Sequence, residues 1–165
     1  MVTITGMYHV GLAARDPAAL AEFYRDALGL AVTGGSGPDS PFGATAFLSS
    51  RHQEEDHELV LFANPAFAHV AFRVATLADL RAGYRQIAER GLPIRHAFNH
   101  GTSLAFYFDD PEGNLIEVYW STGVRNWQPY GDPIDLAAPE EDLLKEVARV
   151  AARAGLPFPT PRHVE

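Results

Sequence analysis

The chain repeats itself at an offset of 60 residues. His9-Val10-Gly11-Leu12 reads against His69-Val70-Ala71-Phe72, and the same offset pairs Leu20 with Leu80, Tyr24 with Tyr84 and Arg25 with Arg85. A period of that length signals one supersecondary unit used twice. In each copy an extended segment led by a histidine runs into a helical pattern. Asp16 is the expected cap of the first helix, with Pro17 at its first position. Leu20, Phe23, Tyr24 and Ala27 then recur at helical spacing, and Gly29 stops the helix. In the second copy Thr76 is the cap, Leu77, Leu80, Tyr84 and Ile87 follow, and Gly91 is the stop. Three strand-like stretches come after each helix: Leu30–Thr33, Ala44–Ser49 and His57–Ala63, then Leu92–Ala97, Ser103–Asp109 and Asn114–Trp120. A loop, Gly34–Phe42, separates two of these strands. Each half therefore reads strand, helix, strand, strand, strand. Two such units could pack together for stability alone. They could also close on each other around a shared cavity, within one chain or between two chains.

Composition narrows what such a fold can do. With 165 residues the chain has room for one domain with a substantial core. Its formal net charge of −8 argues against a nucleic-acid or anionic-membrane partner. No apolar run approaches the roughly 20 residues needed to span a bilayer, and the first residues do not read as a signal peptide. The expectation is a cytoplasmic protein. Cysteine is absent, so thiolate metal sites, disulfides and cysteine nucleophiles are excluded. From Ser121 the character changes. Arg125–Pro133 is rich in aromatics and proline, and Pro139–Ala154 reads as an amphipathic helix with Leu143, Leu144, Val147 and Val150 on its apolar side. It is expected to be a cover for the domain or a contact in a homodimer.

Seven histidines are then the available metal ligands. His9 and His69 hold equivalent positions at the starts of equivalent strands, so a pseudo-twofold pairing of the modules would bring them face to face. Glu117 lies in Asn114-Leu115-Ile116-Glu117-Val118-Tyr119-Trp120, the last strand of the second module. A carboxylate buried there unpaired would be costly, and a metal ion offsets that cost. Two imidazoles and one carboxylate form the ligand set of non-haem ferrous enzymes. A single histidine would read as a core or surface residue satisfied by hydrogen bonds. The symmetric pair with a strand glutamate points instead to an ion on His9, His69 and Glu117.

These residues resemble the vicinal-oxygen-chelate superfamily, which includes glyoxalases, fosfomycin-resistance transferases and type I extradiol ring-cleaving dioxygenases. The likeness covers about residues 5 to 120. It includes Tyr107-Phe108-Asp109-Asp110-Pro111-Glu112-Gly113-Asn114, which ends three residues before Glu117; within it Asp110-Pro111-Glu112-Gly113 is a turn by its own chemistry. The resemblance implies an α+β fold. Two βαβββ modules, about 5–63 and 67–120, would form one curved mixed sheet around a metal-containing cavity within a domain 1–138, with a C-terminal helix and tail at 139–165.

His100, seven residues before Tyr107, resembles with it the dioxygenase pair that contacts the catechol hydroxyls. His96 is second choice for that role, and His52 and His163 look exposed. His57, at the start of the last strand of the first module, resembles the family's acid–base histidine beside bound dioxygen. Aligning that strand with Asn114–Trp120 sets Val60 against Glu117, so the first module offers no fourth protein ligand. Three protein ligands leave room on Fe(II), or alternatively Mn(II), for both a catechol-type substrate and dioxygen. The resemblance thus implies an extradiol dioxygenase of the one-domain kind, opening the ring beside the diol. A glyoxalase-like isomerase usually needs a ligand where Val60 stands. A fosfomycin-type thiol transferase needs cationic groups for a phosphonate, and the chain has one lysine, Lys145. A non-enzymatic drug-binding module needs no triad. Ring substituents would be read by Phe42, Phe47, Phe98 and the segment Trp127–Tyr130.

Overall fold

The computed structural model describes residues 2–153; the end of the expected C-terminal helix at Ala154, the tail after it and His163 lie outside them. The chain begins with β1 (Ile4–Ala13), α1 (Pro17–Leu28), β2 (Ala31–Ser36), β3 (Thr45–Ser49) and β4 (Leu59–Phe62). A short 3-10 turn, Pro65–Phe67, leads to β5 (His69–Val74), α2 (Leu77–Glu89), β6 (Ile94–Asn99), β7 (Ser103–Asp109) and β8 (Leu115–Ser121). A two-residue strand β9 (Asp132–Pro133) and the helix α3 (Glu140–Arg153) follow. All nine strands belong to one mixed sheet in the order β2-β3-β4-β1-β5-β8-β7-β6-β9. Each copy of the repeat thus runs first strand, fourth, third, second away from the middle of that order. The fold is the α+β arrangement that the resemblance implied.

The helices start and stop for the expected local reasons. The Asp16 carboxylate accepts a hydrogen bond from the Ala19 amide at 3.1 Å, and Gly29 ends α1 in the left-handed region at φ 73°. The Thr76 hydroxyl accepts from the Asp79 amide at 3.0 Å to begin α2. By Cα proximity the described residues divide into two compact units, one made of 8–70 with 127–129 and the other of 2–7, 71–126 and 130–153.

In the first unit β1 runs parallel to β4, and β2, β3 and β4 are antiparallel neighbours. Strand side chains alternate between faces, and here each face has its own apolar cluster. Ala46, Leu48, Leu59 and Leu61 pack with Ala21, Leu20 and Tyr24 of α1. On the opposite face Phe47, Val60 and Phe62 pack with Phe67. Most strand limits shift by one to three residues from those the sequence suggests, and β6 runs Ile94–Asn99 rather than 92–97; two of the differences have a visible cause. Strand β2 continues through Gly34 and Gly35, residues that read as loop. There the Gly35 amide donates to the Gln128 carbonyl at 3.0 Å, and a Cβ on Gly34 would lie 2.8 Å from that same oxygen. Strand β4 begins at Leu59 rather than His57. The Glu58 side chain just before it is held by the Ser50 amide at 2.7 Å, the Ser50 hydroxyl at 2.6 Å and the Arg51 guanidinium at 2.9 Å.

In the second unit β6, β7 and β8 are antiparallel neighbours, and β9 pairs with the end of β6, setting Asp132 against Asn99. Leu104, Phe106 and Val118 face Leu77 and Leu80 of α2 in a core that also takes in Leu136, Leu143 and Val147. The apolar side of α3 is therefore buried within its own unit: Leu143, Val147, Val150 and Ala151 are buried, and Leu144 is partly so. Arg81 of α2 donates to the carbonyls of Leu136 (3.3 Å) and Ala138 (2.7 Å), tying down the chain that leads into α3.

Two outcomes test this packing. Gly34→Ala should destabilise the protein by about 1–3 kcal/mol, because the new methyl meets a backbone oxygen that cannot swing away; denaturant titration measures it, and an unchanged midpoint would contradict the close approach. The Glu58 carboxyl is pushed up by burial but pulled down further by the Ser50 and Arg51 hydrogen bonds, from an ordinary 4.5 to about 2. A folded value below the unfolded one means that stability is complete above about pH 4.5 and falls away as pH drops toward 2. Glu58→Gln should therefore flatten the acid limb of a stability-against-pH curve, and an acid limb identical to wild type would refute the assignment.

Candidate metal centre and substrate-binding residues

Alternation along β1 sends Val10 toward α1 and leaves His9 and Gly11 for the opposite face. His9 and His69 are both buried, and their Nε2 atoms lie 3.0 Å apart. The His69 ring is oriented from behind. Its Nδ1 faces the Phe67 carbonyl at 2.7 Å. Because a carbonyl only accepts, Nδ1 carries the proton and, in the neutral ring, Nε2 presents a lone pair. Phe67 is held in place by its 3-10 turn, which Asn64 caps by accepting from the Ala66 amide at 3.0 Å. Gly11 makes room for the ring, since a Cβ there would lie 2.9 Å from His69 Nδ1 and 2.8 Å from Phe62.

Two imidazole nitrogens this close need a positive centre between them, either a shared proton or a metal ion. At a metal–nitrogen length of about 2.1 Å, two ligands at a right angle stand about 3.0 Å apart. The observed separation fits adjacent ligands of one ion. His57 stands beside this pair, its ring centroid 4.4 Å from that of His9 and 5.1 Å from that of Phe47. Val60 is buried against Phe47 and Phe62, so its position offers an apolar wall and no donor.

In the second unit the register of β7 and β8 sets Tyr107 directly opposite Glu117. Both are buried, on the sheet face away from α2. Burial, then the charge of Glu117 and the hydrogen bond to it, push the Tyr107 hydroxyl well above its ordinary 10.0. The same hydroxyl lies 3.0 Å from His100 Nε2, and His100 Nδ1 faces the Tyr130 carbonyl at 2.5 Å. Nδ1 must therefore donate. With His100 neutral, Nε2 accepts and Tyr107 gives its one proton to the ring. A protonated His100 donates instead, which frees the Tyr107 proton for Glu117. His100 and Tyr107 thus form one hydrogen-bonded unit, flanked by Phe98 at ring-centroid distances of 5.7 and 6.3 Å. His96 is exposed and stacked on Phe98, and His52 is exposed.

Three participants escape a reading of the sequence: Gly11 and the carbonyls of Phe67 and Tyr130. Gly11 stands in the repeat where Ala71 follows His69, which is a faint signal. The carbonyls leave none, because every residue has one.

Comparison with known proteins shows the family of the chain. The family model described as Glyoxalase/Bleomycin resistance protein/Dioxygenase superfamily matches residues 6–118. Biphenyl-2,3-diol 1,2-dioxygenase 3 of Rhodococcus globerulus is 30% identical over 130 residues, covering 72% of this chain and 64% of that enzyme. The structure of homoprotocatechuate 2,3-dioxygenase from Arthrobacter globiformis superposes with a TM-score of 0.58 at 26% identity, over 86% of this chain and 41% of that one. A Mn(II)-bound glyoxalase from Novosphingobium aromaticivorans superposes with a TM-score of 0.60 over 73% of this chain and 40% of its own, but at 21% identity it speaks for the fold alone. The chain thus spans less than two thirds of each of these relatives. With the family model covering both copies of the repeat, the chain belongs to the Glyoxalase/Bleomycin resistance protein/Dioxygenase superfamily.

Proposed function

We propose that this chain is an extradiol dioxygenase, which opens a catechol-type aromatic ring next to its two hydroxyls and places both atoms of dioxygen in the ring-opened product. The observation that carries the reading is the His9–His69 pair, whose nitrogens stand at the spacing of adjacent ligands of one ion. Glu117 completes the donor set. All three residues are buried, and each offers one ligand atom. Two neutral nitrogens and a carboxylate suit Fe(II), with Mn(II) as the alternative. Such an ion supplies the redox and Lewis-acid chemistry that joins dioxygen to the ring.

The protein's own part follows from its side chains. His69 is held with Nε2 free by the Phe67 carbonyl. Tyr107 and His100 present a hydroxyl and a ring nitrogen, which bind the diol and hold it as a monoanion. His57, beside His9, would give and take a proton at its imidazole on the side where dioxygen would bind. Val60, Phe47 and Phe62 keep water from that side. Val60 also separates this reading from an isomerase that needs a fourth protein ligand. The 30% identity to a biphenyl-2,3-diol dioxygenase supports an aromatic diol as the substrate class.

Protein purified without oxygen should hold close to one divalent ion per chain and turn catechol yellow when air is admitted. Glu117→Ala should hold far less metal; a variant that keeps its full complement would sink the triad. His57→Ala should still bind metal and catechol while ring opening slows by roughly 10²–10⁴-fold, the usual cost of losing a positioned acid–base group. Wild-type turnover in that variant would remove His57 from the mechanism.

A further inference from the structure

The family match ends at residue 118, yet the residues after it converge on His100. The loop that carries His100 is held at several points. Its own amide donates to the Ser103 carbonyl at 2.8 Å, and the Gly101 amide donates to the Asn99 side chain at 2.8 Å. The Thr122 hydroxyl donates to the Gly101 carbonyl at 2.5 Å. Helix α3 presses on the same loop: a Cβ on Gly101 would lie 2.9 Å from Val150 and 2.9 Å from Asn126. Strand β9 then borders it, with Asp132 paired to Asn99.

One chain of polar contacts runs from α3 to the imidazole. Arg149 donates to the Asp132 carboxylate at 2.9 Å and is itself steadied by Glu146 at 2.7 Å. The Tyr130 hydroxyl donates to the same Asp132 oxygen at 2.5 Å. With its ring anchored in this way, Tyr130 turns its backbone carbonyl onto His100 Nδ1 at 2.5 Å. An imidazole with one nitrogen committed to a carbonyl has a single neutral tautomer, and its other nitrogen has a single direction. Here that direction is toward Tyr107.

We propose that Arg149, Asp132 and Tyr130 are positioning residues for His100: they hold a carbonyl that keeps the ring proton on Nδ1 and Nε2 aimed at the substrate side. The C-terminal segment therefore does more than close the core. It sets the hydrogen-bonding state of a residue that binds the diol, and this second clause rests on the function proposed above.

The test uses the full chain, prepared free of metal so that iron does not broaden the spectra, with the ring nitrogens of His100 followed by 15N NMR. In wild type, Nδ1 should show the shift of a protonated nitrogen and Nε2 that of an acceptor. Arg149→Ala and Tyr130→Phe each remove one link and leave the carbonyl itself in place. In both, the two shifts should move toward each other as the tautomers mix, and Arg149→Lys should restore part of the difference. In iron-loaded protein the KM for catechol should rise roughly 2–10-fold, as for one weakened hydrogen bond, with a smaller change in kcat. His100 nitrogens identical to wild type in both variants would overturn the proposal, whatever happened to stability. Moved shifts with an unchanged KM would uphold the positioning and overturn the role of His100 toward substrate. A wild-type protein that binds metal but never turns over catechol would overturn the proposed function, while the nitrogen shifts would still decide the positioning.

Discussion

A sheet whose one face is covered by helices must spend its other face on something else, and that constraint organises this protein. In the first unit Ala46, Leu48, Leu59 and Leu61 are used up against α1. In the second, Leu104, Phe106 and Val118 are used up against α2. Because side chains alternate strictly along a strand, the residues in between are committed to the opposite face. Those are His9, Phe47 and Val60 in one unit and Tyr107 and Glu117 in the other. The polar residues are buried as a consequence of the apolar ones being buried. A carboxylate and two imidazoles removed from water in this way must be compensated by protons, hydrogen bonds or a cation.

The same logic explains why the supporting groups are backbone carbonyls. His69 leans on Phe67 and His100 on Tyr130. A carbonyl accepts and never donates, so it selects a tautomer without ambiguity, and it cannot change its own charge. A side-chain carboxylate in that place would add a second buried charge. In each case a local device carries the carbonyl: a 3-10 turn capped by Asn64 for Phe67, and the Asp132–Arg149 contact for Tyr130. The second device lies in residues beyond those that define the family.

Much of this was legible in the chain itself. The offset of 60 between His9 and His69, the caps at Asp16 and Thr76 and the Asp-Pro-Glu-Gly turn before β8 are local signals, and local physics is enough to read them. They specify where strands and helices begin and, through alternation, which residues share a face. The predicted β7 agrees with the structure at both ends because turns bound Ser103–Asp109 on each side. Readings failed where a distant partner intervened. Gly34 and Gly35 belong to a strand because they pair with Phe47 and Ala46 of β3. His57 stands just outside β4, after which Glu58 is drawn to Ser50 and Arg51. Strand β9 exists only because the chain returns to the end of β6, setting Asp132 against Asn99.

Sequence alone thus determined the repeat, the helix limits and which side chains are candidate donors, since each follows from spacing or from side-chain chemistry, while the α+β class came with the family resemblance. Tertiary structure alone decided the distances and the proton positions. The 3.0 Å between two imidazole nitrogens, the close approach of the His69 and Phe62 rings to Gly11 and the tautomers of His69 and His100 depend on groups brought together from far apart in the chain. No periodicity encodes them, because a hydrogen bond is a matter of tenths of an ångström and a backbone carbonyl carries no mark in the sequence.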